Sequence, residues 1–114
     1  MLQKIEHYIS ALAQHKGLHR LIQRFEFTVE LAWKSIKEYL EDQGSTTPIA
    51  TPRAVLKEAF AAGVIQDAEE WNKIITARNI TSHVYDEKTA EDVAAQICND
   101  FLPLLKALGK FYRE

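Results

Sequence analysis

Apolar residues recur every three or four positions along most of the chain, which is the spacing of an amphipathic helix. The pattern predicts five helices, over residues 2–14, 18–40, 52–62, 67–83 and 86–111. Neither the alternation typical of a strand nor an internal repeat is present in the sequence. We therefore expect an all-α fold, an antiparallel up-and-down bundle of four or five helices.

The second predicted helix has the clearest apolar stripe. Two further apolar residues, Phe27 and Leu31, lie off this stripe and form a second apolar edge. A helix with two apolar edges usually packs on two neighbours, and the second neighbour is either another helix of the bundle or a second subunit. The residues of the main stripe are Leu18, Leu21, Ile22, Phe25, Val29, Ala32, Trp33, Ile36 and Leu40.

Small and polar residues mark the ends of the predicted helices. Residues 44–50 form a loop by composition, and Thr51 is expected to be an N-cap, because a proline follows it at the first helical position. Gly63 ends the third helix. Asp67 is expected to cap the fourth helix, with Glu70 as its reciprocal capping partner.

The fifth predicted helix carries a proline inside its apolar stripe. Pro103 lacks a backbone donor and crowds the carbonyl of Asn99, so the helix is expected to bend there. Asp86 or Thr89 is expected to cap its first turn.

Length and composition narrow the class of protein. With 46% hydrophobic and 26% charged residues, residues 1–114 are expected to form a single helical bundle domain. The net charge of -2 is not that of a generic basic nucleic-acid binder. Cys98 is the only cysteine, and no Cys/His spacing suggests a metal site. Because no membrane span or signal peptide is evident, we expect a cytoplasmic protein with no membrane partner and no cofactor.

One charged residue breaks the apolar pattern of the fourth helix. With Trp71 set at 0°, an advance of about 100° per residue places Ile75 near 40° and Arg78 near -20°. A guanidinium on the buried face needs a carboxylate partner, a water-filled cleft or an interface, because an unpaired buried charge costs several kcal/mol. An internal acid such as Glu26 or Glu30 would meet that need.

A nearby histidine makes a functional role possible. In a continuous helix His83 would point about 140° away from Arg78, so the two converge only if the helix ends near His83 or if two copies meet. Arginine binds phosphate through paired hydrogen bonds, and histidine transfers protons near neutral pH. The 2′-hydroxyl of RNA is an internal nucleophile, so this pair could cleave RNA without a metal.

Segment 78–86, Arg-Asn-Ile-Thr-Ser-His-Val-Tyr-Asp, resembles the Arg-x4-His-x-Tyr signature of the HEPN superfamily. Segment 23–34, Gln-Arg-Phe-Glu-Phe-Thr-Val-Glu-Leu-Ala-Trp-Lys, resembles the second-helix block of its nucleotidyltransferase substrate-binding-protein branch, as do 51–53, Thr-Pro-Arg, and 58–60, Glu-Ala-Phe. The resemblance extends over roughly residues 18–108.

The resemblance implies a bundle that forms a homodimer, with two Arg/His motifs in a shared cleft and a separately encoded minimal nucleotidyltransferase as partner. In one description, the bundle binds nucleotide or RNA for the transferase through Arg78, Asn79 and His83. In the other, it is a ribonuclease toxin with Arg78 and His83 as catalytic pair, and the transferase neutralises it by adenylylating Tyr85. Of these two descriptions we favour the partner subunit. A third interpretation, a purely structural bundle, leaves both His83 and Tyr85 without a role.

Overall fold

The computed structural model describes residues 2–13, 17–45, 51–83 and 86–113, together with their side chains from residue 5 onwards. All regular structure in these ranges is helical, so the predicted all-α fold is confirmed. None of the described helices is long and apolar enough to cross a membrane. The helices are α1 (Leu2–Ala13), α2 (Leu18–Asp42), α3 (Pro52–Ala61), α4 (Ala68–Thr81), α5 (Glu87–Gln96) and α6 (Leu102–Arg113).

Side-chain caps begin three of these helices as the sequence predicts. Thr51 Oγ1 accepts the Ala54 N–H at 3.3 Å, and Asp67 Oδ1 accepts the Glu70 N–H at 3.0 Å. Asp86, rather than Thr89, caps α5. The Glu70 side chain is directed differently from the prediction, because its carboxylate accepts a hydrogen bond of 2.7 Å from Lys73.

The core of the bundle is organised around α2, which packs against α1, α3, α4 and α5. The predicted main stripe supplies the contact: Leu21, Phe25, Ala32 and Ile36 are all buried. Phe25 stacks on Phe101, with ring centroids 5.7 Å apart, and so joins the N-terminal half of α2 to the last part of the chain. This central position of α2 brings its acidic residues within reach of α4.

Just before Pro103, where the sequence predicts a bend, the helix contains a π-helical turn over Ile97–Phe101, between α5 and α6. The Leu102 N–H bonds to the Ile97 carbonyl, five residues back. Pro103 has no N–H to offer the Asn99 carbonyl, so one wider turn is inserted there without ending the helix. α5, this turn and α6 therefore form one continuous helical rod, in agreement with the predicted fifth helix.

Candidate functional site

The buried face of α4 is built as the helical wheel predicts. Trp71, Ile74 and Ile75 are buried, and Arg78 follows on the same face with 27% of its side chain exposed. Arg78 Nη1 lies 3.3 Å from Glu26 Oε2 on α2, and the Glu26 side chain is also 27% exposed. The expectation of an internal carboxylate partner for Arg78 is confirmed, and Glu26 is that partner.

A threonine hydroxyl forms hydrogen bonds with both members of this ion pair. The Thr81 hydroxyl lies 2.9 Å from Glu26 Oε2 and 2.7 Å from the Arg78 carbonyl oxygen, so its single hydrogen is shared between two acceptors. Thr81 is 8% exposed and ends α4. Sequence reasoning assigned Thr81 no role, although its position three residues after Arg78 places it on the same face of the helix.

Arg78 retains unused hydrogen-bonding capacity. Its Nε is buried and has no hydrogen-bond partner among the described residues. Glu26 contacts one terminal nitrogen of a group that carries five N–H donors. The guanidinium is thus anchored by one carboxylate oxygen, its Nε is enclosed by the fold, and 27% of the side chain remains exposed.

The other two predicted binding residues are solvent-exposed. Asn79 lies on the outer side of α4, and His83 follows the end of that helix, with its N–H bonded to the Ile80 carbonyl at 2.8 Å. The helix end that the sequence argument required is therefore present. The described contacts join Arg78 to Glu26 and Thr81, and none of them joins the His83 imidazole to that cluster. Tyr85, the predicted modification site, lies outside the described residues.

A cleft of about 380 Å³ adjoins the Glu26–Thr81 contact. Three carboxylates, those of Glu26, Asp86 and Glu87, give it an acidic lining. Hydrogen bonds from the backbone and hydroxyl of Thr89 hold the pKa of Asp86 below its usual value, so this group stays charged at neutral pH. The negative charge of such a cleft disfavours a phosphate group there. The lining residues are Leu18, His19, Ile22, Gln23, Glu26, Thr81, Asp86, Glu87 and Ala90.

The predicted second apolar edge of α2 is open to solvent. Phe27 is 55% exposed, and together with Leu31 and Tyr8 it lines a shallow pocket of about 220 Å³. An exposed apolar patch of this kind is compatible with a contact between copies. The homodimer remains a prediction. Within the described ranges, no group of three or more His, Cys, Asp or Glu residues could hold a metal ion.

Sequence comparisons match the chain to a protein family and to a named relative. The family model described as nucleotidyltransferase substrate binding protein like matches residues 2–114. A Haemophilus influenzae protein named probable ribonuclease HepT is 43% identical over 84 residues, 71% of this chain. The match spans 57% of the length of that relative.

Two solved structures have the same fold. A Haemophilus influenzae structure, described as the fold of a substrate binding domain of a nucleotidyltransferase, has a TM-score of 0.86 and 29% identity, with 100% of both chains covered. A crystal structure of a Thermus thermophilus protein has a TM-score of 0.80 and 27% identity, covering 97% of this chain and 98% of its own.

Proposed function

Because the chain belongs to the nucleotidyltransferase substrate-binding-protein-like family, we propose that it is the partner subunit of a separately encoded minimal nucleotidyltransferase. In this role it binds a nucleotide or polynucleotide through Arg78, Asn79 and His83. The observation that carries the proposal is the state of Arg78, which Glu26 anchors through one terminal nitrogen while 27% of its side chain stays exposed.

The chemistry of these three residues suits a phosphate ester. Arg78 supplies a fixed positive charge, because the Glu26 contact restricts its rotamers before any ligand arrives. Asn79 adds a neutral donor and acceptor, and His83 adds an imidazole that can donate or accept a hydrogen bond. Both lie on the solvent side of α4 and its end, where a ligand can reach them without entering the acidic cleft.

Binding measurements test this proposal. Isothermal titration of the purified chain with AMP should give saturable binding that Arg78→Ala abolishes and that Lys106→Gln leaves unchanged, since Lys106 is an exposed cation on α6. Sedimentation of the chain with a minimal nucleotidyltransferase from the same genome should give a complex. Equal AMP affinities for the wild type and Arg78→Ala, in samples of matched stability, would disprove the binding role.

The similarity to the probable ribonuclease HepT favours a second candidate, a metal-independent endoribonuclease toxin. His83 would take the proton of the RNA 2′-hydroxyl while the 2′-oxygen bonds to phosphorus. The bond from phosphorus to the 5′-oxygen breaks, and that oxygen takes a proton from water, which leaves a 2′,3′-cyclic phosphate and a 5′-hydroxyl. Arg78 would stabilise the added negative charge. The transferase would neutralise the toxin by adenylylating Tyr85.

Cleavage and mass measurements separate the two candidates. Cleavage of RNA in EDTA that is lost in both Arg78→Ala and His83→Ala supports the nuclease, whereas intact RNA with a binding-competent preparation supports the partner subunit alone. Incubation with the transferase and ATP should add the mass of AMP to the wild type and not to Tyr85→Phe. Equal modification of both proteins would exclude Tyr85 as the target.

A further inference from the structure

A polar stripe runs along the solvent side of α4 towards the candidate site. Asn72, Thr76 and Asn79 follow at intervals of four and three residues, so they share one face of the helix. His83 occupies the next such position, just beyond the helix end. Thr76, Asn79 and His83 are exposed, and Asn72 is half-buried. Two of the three proposed binding residues therefore belong to a longer polar surface.

A cation from α3 lies across the far end of this stripe. Arg53 Nη2 donates to Thr76 Oγ1 at 2.9 Å, and Nη1 donates to Asn72 Oδ1 at 3.1 Å and to the Asn72 carbonyl at 3.5 Å. Arg53 itself is exposed. The guanidinium is thus fixed in place at the surface. Because much of its conformational entropy is already lost in the free protein, a ligand would lose less free energy in ordering it.

The acceptors of Arg53 are all neutral, which distinguishes this α3 residue from the cations Lys73 and Arg78 on α4. Lys73 lies 2.7 Å from the Glu70 carboxylate, and Arg78 lies 3.3 Å from that of Glu26. Amide, hydroxyl and carbonyl oxygens hold Arg53 without neutralising it, so its charge remains available to an external anion. Lys57, also exposed and one turn further along α3, adds positive charge on the same face.

The length of the stripe indicates what kind of anion would contact residues at both of its ends. Thr76 and His83 are seven residues apart, which is roughly 10 Å at a rise of 1.5 Å per residue. A stacked strand advances about 3.4 Å per nucleotide, so this separation corresponds to about three nucleotides. One mononucleotide carries phosphate at one end only, so it cannot place phosphate at both ends of the stripe.

We propose that Arg53 is a second phosphate-binding residue and that the ligand is a single-stranded polynucleotide lying along α4 from His83 to Arg53, an inference that rests on the function proposed above. Arg78, Asn79 and His83 hold one nucleotide, and Arg53 binds the backbone of the strand about three nucleotides away. Binding of the longer ligand therefore depends on Arg53, whereas binding of a mononucleotide does not.

The test compares a fluorescein-labelled 2′-O-methyl octauridylate, which cannot be cleaved through its 2′-oxygen, with AMP. Arg53→Gln should weaken octamer binding by roughly tenfold, the effect of losing one charge-assisted hydrogen bond. It should also reduce the slope of log affinity against log salt by about 0.7, the contribution of one phosphate contact to a single strand. AMP affinity should stay at the wild-type value.

Two further variants make the result decisive. Lys106→Gln removes a positive charge from α6 and should change octamer binding less than about twofold. The double variant Asn72→Ala/Thr76→Val removes the side-chain acceptors of Arg53 but keeps its charge, so the salt slope should stay at the wild-type value. If this double variant reproduces the full Arg53→Gln defect, Arg53 only joins α3 to α4 and the inference is wrong.

Outcomes for the two ligands distinguish failure of this inference from failure of the proposed function. An unchanged octamer affinity and salt slope in Arg53→Gln overturn the polynucleotide path while leaving the Arg78 site intact. An equal loss of AMP and octamer binding also overturns it, because Arg53 would then affect the whole site. Wild-type binding of both ligands by Arg78→Ala would instead overturn the proposed function.

Discussion

The contact between α2 and α4 through Glu26 and Arg78 gives the sharpest prediction for stability. Truncation of either side chain to alanine should destabilise the fold, and the two losses should not add. Glu26→Ala removes the carboxylate that faces both Arg78 and Thr81. Arg78→Ala leaves that carboxylate with the Thr81 hydroxyl as its remaining partner in the cluster.

The size of the effect follows from the geometry. Two unit charges 3.3 Å apart interact by about 5 kcal/mol at an effective dielectric constant of 20. Both side chains are 27% exposed, so screening and the cost of desolvation reduce the net value to about 1–2 kcal/mol. Glu26→Ala also loses the bond to Thr81, which raises its expected cost to about 2–3 kcal/mol.

A double-mutant cycle by urea denaturation measures the coupling energy directly. We expect about 1–2 kcal/mol between Glu26 and Arg78. The pair Lys88–Asp92 is the matched control, since its atoms are 3.9 Å apart and its side chains are 85% and 70% exposed. Its coupling should be below about 0.5 kcal/mol. If the two cycles give equal values, Glu26 does not hold Arg78 in solution and the site geometry is wrong.

Three other changes test separate parts of the fold by thermal and urea denaturation. Gly109→Ala should raise the free energy of unfolding by about 0.5–1 kcal/mol, because a helix interior favours alanine over glycine. The new Cβ would lie 3.6 Å from Ile9 Cδ1, an ordinary van der Waals contact. A lower free energy of unfolding would show that α1 and α6 are packed more closely than this. Thr51→Ala should cost about 1 kcal/mol through loss of the α3 cap, whereas Thr51→Ser should cost less; equal losses would contradict the capping role. Burial raises the pKa of Tyr112 to about 12, although the hydrogen bond with Ser35 acts in the other direction. The stability that the neutral Tyr112 side chain contributes is therefore complete below pH 10 and is lost between pH 10 and 12. Tyr112→Phe should flatten that alkaline decline, and an unchanged pH profile would refute the assignment.

Much of this architecture could be predicted because helical periodicity encodes burial directly. The apolar stripe of α2 and the inward position of Arg78 both follow from an advance of about 100° per residue. The same rule could not choose between Glu26 and Glu30, which lie one turn apart. The structure separates them, since Glu30 lies 3.6 Å from Lys34 on its own helix while Glu26 turns towards α4.

Other features depend on packing that local sequence does not specify. A proline inside a helix predicts a local distortion. It does not specify whether the backbone adapts to the missing N–H by a kink or by a wider turn. The turn at Ile97–Phe101 accompanies the stacking of Phe101 on Phe25, a contact between residues far apart in sequence. The role of Arg53 was missed for the same reason, because its partners lie on the next helix.

The two arginines differ in how the fold holds them, and this difference bears on the binding roles proposed for them. Arg78 lies on the buried face of α4, where Glu26 engages one terminal nitrogen and burial encloses Nε, so the second terminal nitrogen remains for a ligand. A bidentate contact with phosphate through both terminal nitrogens therefore requires Glu26 to move, and the ligand must offset the loss of that ion pair. Arg53 carries no such cost, because neutral acceptors position it. The proposed polynucleotide would therefore gain affinity at Arg53 without breaking an ion pair, whereas a single nucleotide held at Arg78 would not have that gain.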